Sequence, residues 1–472
     1  MLLPTIGQTN EKTLYEQIYL HYRGQIETGE ISAHEKLPSR RRLAQELRVS
    51  GTTIDAAYAQ LLAEGYIYAK KKSGYYAAAL DTPATVESRL IPAAAKDVME
   101  REYPFELRTN LVDMEKFPFS TWAKLMRQSL TEDAEQLLTP MDSQGDIGLR
   151  IEILKYLEKY RGIKANAEQV VIGAGSEFLL SLLVQLLGRE HGYAVEDPGY
   201  AKTAKILAAN GASVYGIPMD REGMSLAALS KSSAKIAHVT PSHHFPLGIV
   251  TPVARRSALL QWAYAEGGRY IIEDDYDSEF RFSGRPVPAM QSMDRHGRVI
   301  YMNTFTKTLA PSMRISYAIL PPDLLTLYQR KLSFYSCSVP KFDQFTLRRF
   351  LQGGYFDRHL NRMKSLYRSR RDLFIETLCA GAEGKICAGG QESGPHLVVT
   401  VNNGMDEGAL VTAAKNKGVL VYGISEFYRN AQKALKSTVV LGYTGISEAD
   451  LITAANLLSE AWFGGMRSAR QS

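Results

Sequence analysis

The sequence predicts an α/β protein: a large domain on a mainly parallel β-sheet covered by helices, preceded by a small α+β module of the winged helix-turn-helix kind. Three observations predict it. Over roughly the last 360 residues, short apolar runs alternate with helical stretches, the pattern of parallel strands joined by covering helices. Near the front, residues 36–76 hold eight lysines and arginines against three acids and read as helix, break, helix, glycine, hairpin. Between the two lies LDTPATVESRLIPAAAKDVMEREYP, with prolines at 83, 92 and 104 and few large apolar residues. That composition reads as a linker with a short helix.

Bulk properties narrow the function class. At 472 residues the chain exceeds one domain of ~150 residues, and 45% hydrophobic content supports sizeable cores. No apolar run reaches the ~18 residues of a membrane span, and the start MLLPTIGQTNEK lacks a basic n-region, so the expected location is the cytoplasm, with no membrane partner. Cys337, Cys379 and Cys387 form no close pair, against both a disulfide framework and a thiolate metal site. The net charge of +6 is mild, so its concentration at the front carries the information.

The front module is expected over residues 8–79. Ser39 suits an N-cap, and Leu43, Ala44 and Leu47 give a stripe at helical spacing. After RVSG, a second helix from about Thr52 to Glu64 places Ile54, Ala57, Tyr58, Leu61 and Leu62 on one face, and Gly65 ends it. The hairpin that follows has the tip KKKSG. In this layout the second helix enters the major groove and the wing follows the backbone of double-stranded DNA. Candidate DNA contacts are Ser39, Arg40, Arg41, Ser50, Thr52 and Thr53, with Lys72, Ser73 and Gly74 at the wing tip. A charge run alone is more often a solvated face; the ordered elements around this one favour DNA.

The linker is expected over 80–104 and the large domain over 105–466. In the latter, VVI, YAV, SVYGI, IAHV, YII and VIYM read as strands, and ligands of such sheets bind beyond strand carboxyl ends. Four strand-end loops carry suggestive chemistry. The first, GAGS, puts Gly175 and Ser176 at a helix start, where free backbone N–H groups cradle a phosphate. A dinucleotide fingerprint would need a third glycine where Phe178 stands. The second places Tyr200 just past a strand. The third, EDDYDSEF at 273–280, sets Asp274 and Tyr276 behind the strand RYII, a dense acid cluster in a net basic chain. The fourth supplies Thr304, Thr306, Lys307 and Arg314.

Taken together these residues are what pyridoxal 5′-phosphate requires. Lys307 forms the Schiff base, Asp274 pairs with the ring nitrogen, Tyr276 meets the ring hydroxyl and Tyr200 covers the ring face. Gly175, Ser176, Thr304, Thr306 and Arg314 hold the phosphate. The adjacent His243 and His244 do not form a metal site, because neighbours on an extended segment point apart and no third ligand is in view.

The stretch LPSRRRLAQELRVSGTTIDAAYAQLLAEGY resembles the DNA-binding domain of the GntR family of bacterial regulators, with Gly51 where that family commonly has arginine. EDPGY, TPSHHFPLG, IIEDDYDSEFRF and TFTKTLAPSMRISYAILPP resemble fold-type I aminotransferases over nearly all of 105–466, and in particular the MocR subfamily, in which both parts are fused. The resemblance implies that Lys307 carries the cofactor, that Asp274 faces its ring nitrogen, that His243 approaches it, and that the chain forms a head-to-tail, domain-swapped homodimer. In the subfamily's GABA-responsive regulator, arginines after PGY and within an SRF stretch grip the effector; here Lys202 and Glu426 stand in those places. GABA is therefore not the expected effector, and Lys202, Arg281 and Arg429 are the candidate carboxylate contacts, with Glu426 suited to a cation.

The expected function is a transcriptional regulator that senses an amino compound, an amino acid or small peptide amine, through external aldimine formation at Lys307. The alternative is an active aminotransferase with a DNA-binding appendage, since a released Lys307 can act as general base. A DNA-binding scaffold with a dead cofactor fold fits less well, because lysine, aspartate and arginine are all in place.

Overall fold

The structure, a computed structural model, describes residues 12–71, 73–80, 103–109, 111–282, 284, 287–380, 382 and 384–464. Lys72, the ends of the two expected domains and nearly all of the expected linker lie outside the described residues. The chain divides into two compact units, Met1–Glu100 and Arg101–Ser472. No helix among the described residues is long and apolar enough to cross a membrane.

In the front unit, helices Leu14–Glu27, Arg40–Leu47 and Gly51–Ala63 precede a hairpin of Ile67–Lys70 and Gly74–Ala77. Thr13 and Glu16 cap the first helix reciprocally, the Thr13 N–H donating to Glu16 Oε2 at 2.8 Å. That helix contributes Ile18, Tyr22 and Ile26 to a core shared with Leu43, Ile54, Tyr58, Leu61 and Ile67. Ser39 and Ser50 cap the next two helices, accepting from the N–H groups of Arg42 and Thr53. Gly65, at φ +79°, follows the third helix in the left-handed conformation expected of it. Leu62 departs from expectation: it is 43% exposed. Leu61 already points at the core, and the next residue is turned about 100° around the helix.

The large unit is built on an eight-stranded sheet. Across it run Val170–Gly173, Ser316–Ile319, Val299–Thr304, Tyr270–Asp274, Ala234–Val239, Gly192–Asp197, Ser213–Asp220 and the short Gly223–Met224. All six expected strands are present and mutually parallel. The exception within the sheet body is Ser316–Ile319, antiparallel to both neighbours. It follows Thr304 too closely for a parallel crossover, which needs about a dozen residues or more, so the chain turns back. The strand ends at Gly173, Asp197, Val239, Asp274 and Thr304 therefore share one edge.

A second, antiparallel sheet of Ile386–Gly389, His396–Val401, Thr438–Gly442 and Tyr422–Gly423 was not separated from the first by sequence reasoning. It packs with helices Tyr355–Ala380, Glu407–Asn416 and Glu448–Phe463 around Leu397, Val399, Leu410, Leu441 and Leu458. The chain enters this layer early: Phe105–Glu106 pairs in parallel with Val419–Leu420.

Candidate functional site

A cavity of about 540 Å³ opens at the carboxyl edge of the main sheet. Ser176, Tyr200, Asp274, Tyr276, Thr304, Thr306, Lys307 and Arg314 all line it, so residues chosen from four separate loops meet in one place.

The acid cluster resolves into distinct roles, set by the alternation of a strand. Glu273 is fully buried and accepts from the N–H groups of Met290 and Gln291 at 2.7 and 2.8 Å; burial pushes its carboxyl up to about 7. Asp275, on the same face, is held by Arg161 at 2.7 Å and by the Tyr301 hydroxyl at 2.6 Å. Glu279 accepts from Tyr156 and Asn303, and burial pushes it to about 7. Asp277 pairs with His243 Nδ1 at 2.6 Å. Asp274 alone of the five lines the cavity, with His238 Nε2 3.3 Å from its Oδ2.

Lys307 is half-buried and has no hydrogen-bond or salt-bridge partner among the described residues; burial pushes its ammonium down to about 8, with Asp277 acting in the opposite direction. Its loop follows Thr304, next to the strand carrying Asp274 and in register with it, Met302 opposite Asp274. Nearby, the Tyr276 hydroxyl lies 3.3 Å from His243 Nδ1, and burial raises its pKa well above the ordinary phenol value. His243, expected to approach the cofactor, does not line the cavity and contacts Asp277 and Tyr276 instead, while His244 Nε2 lies 3.0 Å from the Pro198 carbonyl. The two histidines do point apart.

The loop before Ser176–Leu187 forms a cradle with Arg314. Gly175 has φ +90°, and a Cβ there would lie 2.5 Å from Arg314 Nη2. Thr306 is half-buried and lines the cavity, but Thr304 plays a different part from the one expected. It is 7% exposed, and its Oγ1 accepts from Ser316 at 2.8 Å and donates to Thr306 Oγ1 at 2.7 Å. Its hydroxyl is thus engaged within the protein and orients Thr306. Tyr200 is 55% exposed and meets Phe245 edge to face at 6.0 Å.

The expected effector contacts divide. Lys202 and Glu426 line the cavity, Lys202 paired with Glu177. Arg281 does not: it lines a separate cavity of about 80 Å³ and approaches Glu392 at 3.8 Å. The turn Ser278–Phe280 carries it to a bridge with Ser393, away from the strand ends. Arg429 also lies elsewhere, its N–H on Asp197 Oδ1 at 3.0 Å and its side chain over Gly216, where a Cβ would meet its Cδ at 2.5 Å.

Sequence reasoning missed several lining residues: Arg108, Thr109, Glu177, Glu196, His238 and His396. Glu196 and His238 carried a signal, as polar residues interrupting apolar strands near their carboxyl ends. Glu196 accepts from the Thr240 hydroxyl at 2.6 Å, and burial pushes it up to about 7. Arg108 and His396 reach the cavity from the second layer, which no local pattern discloses.

In the front unit, the hydroxyls of Ser50, Thr52 and Thr53 cluster at the start of the third helix, with Ser50 Oγ 2.7 and 2.8 Å from the two threonine oxygens. Arg40 pairs with Asp55 at 2.6 Å, while Arg41 is exposed. At the hairpin tip, Ser73 Oγ lies 2.6 Å from the Tyr76 hydroxyl, and Gly74 has φ +112°.

Comparison with known proteins agrees with this geometry. Residues 105–442 match the family described as aminotransferase class I and II, and residues 14–76 match the bacterial regulatory proteins of the gntR family. The chain is 38% identical over 464 residues to the HTH-type transcriptional regulator YdeL of Bacillus subtilis, covering 98% of this chain and 99% of that one. It is 32% identical to the probable rhizopine catabolism regulatory protein MocR of Rhizobium meliloti, covering 95% and 94%. Among solved structures it is similar to Pyrococcus horikoshii kynurenine aminotransferase in complex with PMP, with a TM-score of 0.68 and 27% identity over 77% of this chain and 91% of that one.

Proposed function

The chain belongs to the class I and II aminotransferase family in its MocR-type arrangement, a gntR-family module ahead of the aminotransferase domain, and from that premise we propose a transcriptional regulator that binds pyridoxal 5′-phosphate and responds to a small amine. The observation that carries the reading is that Lys307 and Asp274 line one cavity, Asp274 at the end of its strand and Lys307 on the loop that follows the adjacent parallel strand. When bound, the cofactor supplies an aldehyde that condenses with amines and a ring that withdraws electrons once its nitrogen is protonated.

The residues present fit that group. The cradle at Gly175, the N–H groups at the start of Ser176–Leu187, Thr306 and Arg314 offer donors and positive charge to a phosphate. Asp274 offers a carboxylate to a ring cation, and His238 Nε2 lies 3.3 Å from that carboxylate. Lys307 loses its proton more readily than an exposed lysine, as a nucleophilic amine must. Tyr276, held by His243, is a hydroxyl donor toward the ring, and Tyr200 shields its face. Lys202 and Glu426 remain as contacts for the effector.

The exposed Arg41, together with Arg40 and the hydroxyls of the third helix, favours duplex DNA as the partner of the front unit. A homodimer is proposed with this arrangement because the chain shares the MocR-type fusion of its relatives.

Absorbance spectroscopy tests the cofactor. Protein incubated with pyridoxal 5′-phosphate and then freed of unbound cofactor should retain a band beyond the range of its aromatic side chains, and Lys307→Ala should abolish or shift it; an identical spectrum in the variant refutes the assignment. An amine that shifts the band without steady keto-acid formation from an added 2-oxo acid supports the regulator, whereas steady turnover assigns the enzyme reading.

A further inference from the structure

We infer, resting on the reading of the cavity as an amine site, that its mouth receives a second cationic nitrogen, held by Glu426 against the rings of Phe245 and Phe427, so that the effector has the character of a diamine. Four carboxylates line the cavity, those of Glu177, Glu196, Asp274 and Glu426. Three of them are engaged. Glu177 holds Lys202 at 2.5 Å and Arg314 at 3.5 Å, Glu196 accepts from the N–H and hydroxyl of Thr240 at 3.2 and 2.6 Å, and Asp274 has His238 Nε2 at 3.3 Å. Glu426 is exposed and has no hydrogen-bond or salt-bridge partner among the described residues. The cation nearest to it in sequence, Arg429, turns its side chain over Gly216 instead.

The backbone that presents Glu426 is fixed on both sides. Before it, Ile424 is fully buried, and the N–H and hydroxyl of Ser425 donate to Glu407 at 3.0 and 2.5 Å. After it, the Phe427 carbonyl accepts from Gly199 N–H at 3.0 Å, and Arg429 N–H donates to Asp197 at 3.0 Å. These bonds tie the turn Ile424–Phe427, from the second layer, to the loop that carries Tyr200 at the edge of the main sheet. Phe245 fills the angle between the two, its ring edge to face with Phe427 at 4.9 Å and with Tyr200 at 6.0 Å. Both phenylalanines and Glu426 line the cavity. Aromatic faces attract a cation, and a carboxylate beside them adds a charge-assisted hydrogen bond to an ammonium. Lys202 does not reverse that preference, because Glu177 neutralises it. The mouth therefore ranks a distal ammonium above a distal hydroxyl on an amine whose first nitrogen occupies the site at Lys307.

The test pairs amines that differ only in the second nitrogen, putrescine and cadaverine against the amino alcohols of equal length, titrated into cofactor-loaded protein by absorbance. In the wild type the half-saturating concentration of a diamine should be about 5- to 30-fold below that of its amino alcohol, a gap that narrows as salt is added because Glu426 is exposed. Glu426→Gln should close the gap by weakening the diamines, with the ligand-free spectrum as in the wild type. Phe427→Leu should narrow it by about 2- to 5-fold. Hydrogen exchange in the peptide spanning 422–429 should slow with the diamine and not with the amino alcohol in the wild type, and with neither in Glu426→Gln. Equal weakening of both classes in Glu426→Gln, or a gap that the variant leaves intact, overturns the inference. A wild type without a cofactor band overturns the underlying reading and the inference with it, while a normal band that both classes shift equally, or that neither shifts, overturns the inference alone.

Discussion

At the scale of single residues, the site depends on what each side chain leaves available. Gly175 shows this most sharply, because its φ of +90° and the nearness of Arg314 both exclude a side chain. Gly175→Ala should weaken pyridoxal 5′-phosphate binding by about 10-fold or more, roughly what one charge-assisted contact contributes. In a spectroscopic titration Arg314→Ala should give a similar loss, and the double variant should be little worse than either, since both changes remove the same contact. Residues with chemistry written into a strand-end loop, such as Lys307 and Asp274, were legible in the sequence. Thr304 was legible in place but not in role, because the bond from Ser316 closes only when a strand twelve residues later folds back beside it. Arg281 and Arg429 were misread for the same kind of reason: sequence gives an arginine's charge, and the path of the following turn decides where that charge goes.

At the scale of elements, the third helix joins two demands in one residue. Ser50 caps it through Thr53 N–H at 3.2 Å, and the same hydroxyl sits in the cluster expected to meet DNA. Ser50→Ala should cost the front unit about 1 kcal/mol, visible as earlier unfolding in denaturant. Ser50→Asp restores the cap and places a negative charge toward phosphates, so it should keep stability near that of the wild type while weakening DNA binding by filter or fluorescence titration. Loss of stability with Asp as large as with Ala contradicts the capping role. Helices and strands of both units were readable from spacing and end signals. The pairing of Ser316–Ile319 with Val170–Gly173 was not, because partners over 140 residues apart, such as Val170 and Ile319, leave no local periodic trace, and the second sheet was not, because its strands carry no signal of which sheet they join.

At the scale of the whole molecule, the desolvated lysine couples ligand chemistry to stability. Lys307 holds its proton up to about pH 8 when folded, against an ordinary value near 10.5. Below pH 8 it is charged in both states and the folded chain alone bears the desolvation; between about 8 and 10.5 the unfolded chain binds more protons, so this residue makes stability rise with pH. Cofactor-free Lys307→Met should accordingly unfold about 1–3 °C higher at pH 7, and calorimetry should show a flatter pH dependence between 8 and 10.5. A variant less stable than the wild type at pH 7 refutes this. The pairing of Phe105–Glu106 with Val419–Leu420 bears on the order of biosynthesis. A ribosome has released the entire front unit long before it reaches the residues that close the large one, and units mature from the N-terminus onward. Each newly made molecule therefore has a period in which its front unit is finished while the residues that close the large unit are still being translated, so the N-terminal module of a nascent chain can fold before the cavity of the large unit is complete.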